Sequence, residues 1–279
     1  MTGSKGPGAR PAGCGDRDTQ PAGCVVFVSA GPGAADLITL RGARALARAD
    51  VVLADALADP ALRELAPQAR WIAVGKRGFE HSAKQTEINA LLVKAAREHA
   101  VVVRLKGGDA SIFGRLEEEL AALAAAGIAC EVVPGVTAAL AAAAQARRPL
   151  TRRGRGRSVS LTTAMTEAGE LRAARSADTE VFYMAGRQLA ALGRQLLAAG
   201  WAADAPALVV SRAGCADALV SEHRVAGLAA AALLHRGRPT VVTVGAGAAA
   251  LPAQGKPVPP PKIAVSPDPS QAPLTPSRP

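Results

Sequence analysis

The chain has 279 residues, room for one large or two ordinary domains, and 49% of them are hydrophobic, which allows a sizeable core. A net charge of +10 predicts an anionic partner, whereas 3% aromatic residues leave few rings for stacking on bases. The most apolar stretch, 120–146, contains Glu131 and is interrupted by Pro134-Gly135, so we expect no membrane span. The N-terminus has no signal-peptide-like apolar core, and the cysteines lack C-x-x-C or zinc spacing, so a cytoplasmic protein with free thiols is expected.

Both ends of the chain differ from its middle in composition. Residues 1–23 are rich in Gly, Pro and polar residues without periodicity, which predicts a disordered arm. Residues 252–279 hold ten of the twenty prolines, which excludes helix and central strand. We therefore predict a disordered, Pro-rich tail over 248–279.

Between these ends, apolar runs alternate with helical patterns. Strands are predicted at 25–30, 51–54, 71–74, 101–105, 130–133, 158–163, 180–184, 207–211, 218–225 and 240–244. Helices are predicted at 37–48 (with Asp36 as its cap), 85–99, 116–126, 137–146, 188–199 and 228–235. The alternation predicts an α/β protein with two lobes, 24–134 and 135–247, and mostly parallel sheets. Only 218–225, which alternates apolar and polar residues, is a candidate antiparallel strand.

One loop organises the candidate site: Arg104 to Arg115, which reads RLKGGDASIFGR and follows a predicted buried strand. Ligands of open α/β sheets bind at the carboxyl ends of the strands. Gly107 and Gly108 allow close approach of the backbone, and Asp109 adds a carboxylate that can accept from hydroxyl or cationic groups. A strand-to-helix turn with Asp109 as an N-cap explains the same residues equally well.

Two further strand ends carry polar groups. The first predicted strand ends in Ala30-Gly31-Pro32-Gly33, but Asp36 at the sixth position would face a pyrophosphate, which argues against a dinucleotide loop. Asp55 and Lys76 each follow a strand and could act as base and acid in one cleft, or form an ordinary surface ion pair.

A basic segment follows the middle of the chain. Residues 147–157 contain six arginines, a side chain that binds carboxylates and phosphates bidentately. Nucleic acid, a small polycarboxylate and plain solvation all remain possible from composition. The four histidines form no H-x-x-x-H or H-E-x-x-H arrangement, so no metal site is predicted.

Taken together, the motifs resemble the tetrapyrrole methylase family of two-lobed, S-adenosylmethionine-dependent methyltransferases. The matching pieces are AGPGAADLITLRG (30–42), DVVLAD (50–55), VGKR (74–77), QTEIN (85–89), VVRLKGGDASIFGR (102–115), VVPGVTAA (132–139), PLT (149–151) and FYMAGR (182–187). The GKR, QTEIN and RLKGGD pieces point to the branch that methylates uroporphyrinogen III, giving precorrin-2 for sirohaem or cobalamin synthesis.

The resemblance implies a cofactor cleft between the lobes and a role for individual residues. Asp55 and Lys76 match the proton acceptor and donor of the family. The positions implied to contact S-adenosylmethionine are Pro32, Gly107, Gly108, Asp109, Ile112, Thr137, Ala138, Met184 and Ala213. Those implied to bind the carboxylates of the tetrapyrrole are Arg77, Arg115, Arg152 and Arg153. The expected assembly is a homodimer, with no metal, nucleic acid or membrane partner.

The sequence departs from the family pattern around Asp55. The usual Tyr-Asp-Arg reads Ala54-Asp55-Ala56, and Ala110 stands where the glycine-rich loop usually has proline. The alternatives are therefore methylation of a later corrin intermediate, or a degenerate member that binds cofactor or RNA without catalysis.

Overall fold

The first five-stranded sheet is parallel throughout. The computed structural model describes residues 23–75, 85–164 and 171–251. The strands, in the spatial order β3-β2-β4-β1-β5, are β1 (Cys24–Ser29), β2 (Val51–Ala54), β3 (Arg70–Ala73), β4 (Val101–Lys106) and β5 (Cys130–Val133). Its helices are α1 (Leu40–Leu46), α2 (Gln85–Glu98) and α3 (Leu116–Ala125), with short 3-10 helices at Ala35–Leu37 and Pro60–Leu65.

Helices cover both faces of this sheet, which explains its uninterrupted apolar strands. Val26 of β1 belongs to the same buried cluster as Leu46 of α1. Phe27 points to the opposite face and shares a cluster with Leu92 of α2 and Leu123 of α3. Because successive side chains of a strand alternate between faces, a strand covered on both sides is apolar at nearly every position.

The second sheet has the order β6-β7-β10-β8-β9. Its elements are α4 (Ala138–Ala146), β6 (Val159–Thr163), β7 (Thr179–Tyr183), α5 (Leu189–Ala198), β8 (Pro206–Ser211), β9 (Leu219–Arg224), a 3-10 helix at Val225–Ala230, α6 (Ala231–Leu234) and β10 (Thr240–Gly245). One face packs against α4, through Ala139 and Ala142. The other packs against α5, whose Leu192 and Leu196 are fully buried at helical spacing.

Strand direction differs between the two sheets. Across both sheets, five of the eight described pairings are parallel, so the predicted α/β class with mostly parallel strands is confirmed for the molecule as a whole. In the second sheet, however, only β6 and β7 pair in parallel, and the expectation needs correction there. A buried strand such as β10 is apolar in either direction, so its sequence does not reveal its orientation. The predicted antiparallel strand, now β9, is confirmed.

Three local predictions also need correction. The helix predicted from residue 37 begins at Leu40, and its cap is Thr39, whose hydroxyl accepts from the Gly42 N–H at 3.1 Å, rather than Asp36. The helix predicted at 228–235 is a 3-10 helix up to Ala230 and is α-helical only over Ala231–Leu234. Free thiols were expected throughout, but Cys24 is disulfide-bonded.

The terminal segments lie almost wholly outside the described residues, so the predicted arm (1–23) and tail (248–279) stay predictions. A single compact unit ends at Ala249 and includes both sheets. The division into lobes at residue 134 likewise remains a prediction. No helix among the described residues is long and apolar enough to cross a membrane.

Candidate active site

The centre of the candidate site is a topological switch point in the first sheet. The neighbouring strands β1 and β4 lead in opposite directions, β1 through α1 to β2 and β4 through α3 to β5. The helices α1 and α3 belong to opposite faces of the sheet, so the loops after β1 and β4 diverge. A crevice at the carboxyl ends of such strands is the usual ligand position in open α/β sheets.

The two loops are joined to each other by their glycines. The Gly31 N–H donates to the Gly108 carbonyl at 3.1 Å, and the Gly108 N–H donates to the Gly31 carbonyl at 2.7 Å. Both glycines have positive φ, +81° and +65° respectively, a conformation that costs other residues about 1–2 kcal/mol. The glycine-rich loops predicted from the sequence therefore lie side by side at the switch point.

Asp109 links these loops to the segment before α4. Its Oδ2 accepts from the Gly135 N–H at 2.7 Å, and its Oδ1 accepts from the Ser111 N–H at 2.8 Å. Ser29, fully buried at the end of β1, donates to the Val133 carbonyl and accepts from the Ala110 N–H, both at 2.9 Å. Asp109 thus closes a turn inside its own loop and does not cap α3, whose N-cap is Arg115.

The two glycines of the GGD motif have different neighbours. A Cβ atom at Gly107 would come within 2.9 Å of Leu57 Cβ, so the turn after β2 lies directly against this residue. A Cβ atom at Gly108 would meet no heavy atom within 4 Å. Gly108 therefore borders open space, into which the backbone of the loop can present a ligand without steric hindrance.

The loop after β8 contacts the loop after β1. The Ala34 N–H donates to the Gly214 carbonyl at 3.0 Å. A Cβ atom at Gly33 would come within 2.6 Å of Cys215 Sγ, and one at Gly214 within 3.1 Å of Pro32 Cγ. The predicted site residues Pro32 and Ala213 consequently belong to two loops in direct contact.

Tyr183, at the end of β7, is not among the site residues that the sequence predicts. Its hydroxyl lies 2.7 Å from the Thr137 hydroxyl and accepts from the Ala139 N–H at 3.3 Å. Its ring meets Phe113 edge to face, with centroids 5.1 Å apart. Burial raises the pKa of the Tyr183 hydroxyl, so the hydroxyl stays protonated at neutral pH. The sequence does hold a signal for this residue, because the FYMAGR motif places Tyr183 near the end of a predicted strand, where ligands of α/β sheets bind.

The rim of the crevice combines apolar exposure with backbone strain. Phe113 and Met184 have left-handed φ of 52° and 60°, and their exposed fractions are 44% and 53%. Leu57, beside Gly107, is 64% exposed. A non-glycine residue in this conformation costs about 1–3 kcal/mol, and such strain clusters at functional sites. Together these residues form an apolar rim around the glycine loops.

The remaining predicted cofactor positions lie in the same region. Ile112 donates its N–H to the Asp109 carbonyl at 3.1 Å, within the loop after β4. Thr137 and Ala138 are at the start of α4, next to Tyr183. The nine positions therefore lie on loops and on a helix start that contact one another near the carboxyl ends of β1 and β4.

Asp55 sits at the same edge of the sheet. It follows β2, and its N–H donates to the Leu105 carbonyl of β4 at 2.9 Å. Its Oδ1 accepts from Arg104 Nη2 at 2.6 Å, and its side chain is 31% exposed. Arg104 belongs to the RLKGGD motif, and the sequence alone predicts no role for it. The predicted partners Lys76 and Arg77 lie outside the described residues.

A buried ionic cluster supports Arg104. Glu119 of α3 is fully buried, and its Oε1 accepts from Arg104 Nε at 2.9 Å. Its Oε2 accepts from Lys106 Nζ at 2.6 Å. Burial and the neighbouring Arg104 lower the pKa of Lys106, whereas the ion pair with Glu119 opposes that shift. We call Arg104, Lys106 and Glu119 the buried triad.

The arginines predicted to bind substrate separate into two places. Arg115 belongs to the loop after β4 and makes a bidentate pair with Glu118, at 2.6 and 2.8 Å. Arg152 and Arg153 belong to a turn beside Ala246, near the residue at which β7 begins. Met184 follows the opposite end of β7. The structure does not bring Arg152 and Arg153 to the crevice. Arg148 is buried and bonded to Glu222 of β9 at 2.6 Å.

Comparison with known proteins identifies the family. Residues 24–229 match the family model described as Tetrapyrrole (Corrin/Porphyrin) Methylases. The chain belongs to this family.

No group of three His, Cys, Asp or Glu side chains suited to a metal ion occurs in the part of the chain that the structure describes.

Individual relatives have more specific names than the family model. The chain is 46% identical over 195 residues to the uroporphyrinogen-III C-methyltransferase of Pseudomonas aeruginosa, covering 68% of this chain and 80% of that protein. It is 45% identical to Siroheme synthase 1 of Klebsiella pneumoniae, but covers 43% of that longer protein. The solved structure of the Thermus thermophilus uroporphyrin-III C-methyl transferase complexed with S-adenyl homocysteine has a TM-score of 0.71 at 36% identity, over 80% of this chain and 97% of that one. A cobalt precorrin-4 methyltransferase structure has a TM-score of 0.70 at 28% identity, over 81% of this chain and 96% of that one.

Proposed function

We propose that this chain is an S-adenosylmethionine-dependent C-methyltransferase that converts uroporphyrinogen III through precorrin-1 to precorrin-2, for sirohaem or cobalamin synthesis. The observation that carries the proposal is the crevice in which the glycine loops after β1 and β4 meet Tyr183 and Ala213 of the second lobe. The 46% identity to the Pseudomonas aeruginosa enzyme supports the substrate, and the bound S-adenyl homocysteine in the Thermus thermophilus structure supports the methyl donor.

The residues present suit a nucleoside sulfonium ligand. Gly108 faces open space, and Asp109 holds its loop against the start of α4. We propose that the donor contacts Pro32, the GGD loop and Ile112 on one side. Thr137, Ala138, Met184 and Ala213 would contact it on the other side.

Methyl transfer mainly requires alignment. When bound, the donor supplies an electrophilic sulfonium methyl group. A pyrrole carbon of the porphyrinogen forms the new C–C bond as the S–C bond of the donor breaks. The electron pair of the broken S–C bond stays on sulfur. The chain's task is to hold both reactants in line and to exclude water, for which the apolar rim of Leu57, Phe113 and Met184 is suited.

The reaction must also release a proton from the substrate. We propose that Asp55 accepts it, because it lies beside the GGD loop and has an exposed carboxylate edge. Lys76 lies outside the described residues, and we propose it as the proton donor from the sequence alone.

The substrate is a polycarboxylate, which suits a chain with a net charge of +10. Of the predicted arginines that the structure describes, Arg115 is the one in the loop after β4, where its side chain is 59% exposed and paired with Glu118. Arg77 is proposed from the sequence. Arg152 and Arg153 could contribute only at the other end of the second sheet. A homodimer in the cytoplasm, without a nucleic acid partner, completes the proposal.

The decisive experiment is anaerobic incubation with uroporphyrinogen III and methyl-labelled S-adenosylmethionine. The expected result is a tetrapyrrole that has gained two labelled methyl groups by mass spectrometry. Binding of S-adenosylhomocysteine is measured in parallel by calorimetry. Binding without transfer would refute the assigned substrate and favour a later corrin intermediate, whereas absence of binding would refute the cofactor site.

A further inference from the structure

The strongest feature that the proposed reaction leaves unexplained is the buried triad next to Asp55. Arg104 is 2% exposed, Lys106 is 2% exposed and Glu119 is fully buried. Burying three ionised groups is costly, and a buried ion pair is often no more stabilising than apolar residues of similar volume. Fold stability alone is therefore a weak reason for this cluster.

The guanidinium of Arg104 is bonded on every side. Its Nε donates to Glu119, and its Nη1 donates to the carbonyls of Leu53 at 3.3 Å and Leu105 at 3.1 Å. Its Nη2 donates to Asp55 Oδ1 at 2.6 Å. A planar guanidinium fixed at three nitrogens has no freedom to rotate, so the Asp55 oxygen that it binds is fixed as well.

Charge balance points in the same direction. The triad consists of two cations and one anion, a net charge of +1. Asp55 is the carboxylate that balances this charge, at the one corner of the cluster that reaches solvent. Within the described part of the chain, Asp55 Oδ2 accepts no hydrogen bond. One carboxylate oxygen is thus occupied by Arg104, while the other makes no hydrogen bond to a described residue and belongs to a side chain that is 31% exposed.

We propose that Arg104, fixed by Glu119, is a positioning residue that aims Asp55 Oδ2 at the substrate proton. This inference rests on the proposed function, because it assumes that Asp55 accepts that proton. Arg104 does not touch substrate in this arrangement. It acts through Asp55, and Glu119 acts through Arg104.

The test is a double-mutant cycle on the full-length chain. The variants are Arg104→Lys, Asp55→Asn and the combination of the two, assayed for methyl transfer to uroporphyrinogen III with S-adenosylhomocysteine affinity measured beside it. Arg104→Lys keeps the charge that Glu119 needs and removes the rigid fork. Arg148→Lys is the control, the same change in another buried arginine that pairs with a glutamate, although its partner Glu222 is 62% exposed; it lies at the far end of α4.

Asp55→Asn should lower kcat by about 100-fold, within the range for loss of a general base. Arg104→Lys should lower kcat by about tenfold or more, since small displacements of a reacting group are costly, with KM and S-adenosylhomocysteine affinity nearly unchanged. In the Asp55→Asn background, Arg104→Lys should cause little further loss, because residues that act through one another are non-additive. Arg148→Lys should leave kcat unchanged.

Each other outcome overturns a specific step. Fully additive losses, or an Arg104→Lys variant as fast as wild type, would refute the positioning role in an enzyme whose function still stands. A loss of S-adenosylhomocysteine affinity parallel to the loss of kcat would also refute it, since it would indicate a structural role. Failure of the wild type to methylate uroporphyrinogen III would instead refute the proposed function, and the positioning role with it.

Discussion

Gly108 offers the sharpest test of the proposed cofactor site, because the loops of the first sheet contain a matched control. Gly108 and Gly127, after α3, have φ of +65° and +69°, and a Cβ atom at either would meet no heavy atom within 4 Å. Replacement by alanine should therefore cost the fold the same amount at both positions, about 1–2 kcal/mol, or roughly 2–8 °C in Tm for a chain of this size.

The two variants should differ only in binding. The methyl group added at Gly108 would occupy the open space in which we place the methyl donor. We expect calorimetry to show a loss of S-adenosylhomocysteine affinity of at least about tenfold, or about 1.4 kcal/mol, for Gly108→Ala. Gly127→Ala should bind like the wild type. Equal affinities for the two variants, at equal Tm, would refute the placement of the donor beside Gly108.

Three further predictions follow from other contacts. Asp109→Ala removes the acceptor of the Ser111 and Gly135 N–H groups, so the free energy of unfolding should fall by about 1–3 kcal/mol in urea titrations. It should also weaken S-adenosylhomocysteine binding, and an unchanged Kd would contradict the loop's role. Tyr183→Phe keeps the ring against Phe113 but loses the bond to Thr137, which should cost about 1 kcal/mol of stability; an unchanged urea midpoint would argue against that bond. Burial lowers the pKa of His235 below its ordinary 6.5, so the unfolded chain takes up this proton at higher pH than the folded one. Stability should therefore fall as pH drops below about 6.5, and the urea midpoint should depend less on pH in His235→Gln; an identical dependence would exclude His235 as its source.

Local patterns predicted most of the fold because they report burial. The run of Val25 to Val28 is apolar because helices cover both faces of β1, and that run is visible in the sequence alone. The same property hides strand direction. Val241, Val242 and Val244 of β10 would be apolar in either orientation, and the antiparallel second sheet was therefore missed.

The residues of the candidate site likewise divide into those that the local sequence predicts and those that only the fold brings together. Gly107, Gly108 and Asp109 are contiguous and follow a strand, so their shared loop was predictable. Tyr183, at the end of β7, and Phe113, in the loop after β4, are 70 residues apart in the sequence, and no local pattern encodes their contact. Arg152 and Arg153 show the converse limit: a basic run predicts a charged ligand, but charge does not indicate at which end of a sheet a turn lies.

The departures from the family pattern around Asp55 acquire a physical interpretation from the buried triad. With alanine at positions 54 and 56, the sequence suggested a carboxylate deprived of its usual guanidinium neighbour. In the structure, a guanidinium does reach Asp55, but it comes from Arg104 on the adjacent strand β4. Because that arginine is buried and fixed by Glu119, its orientation does not depend on the exposed turn after β2. Replacement at position 56 can therefore alter the surface that meets the substrate while leaving the oxygen that we assign to proton transfer in place.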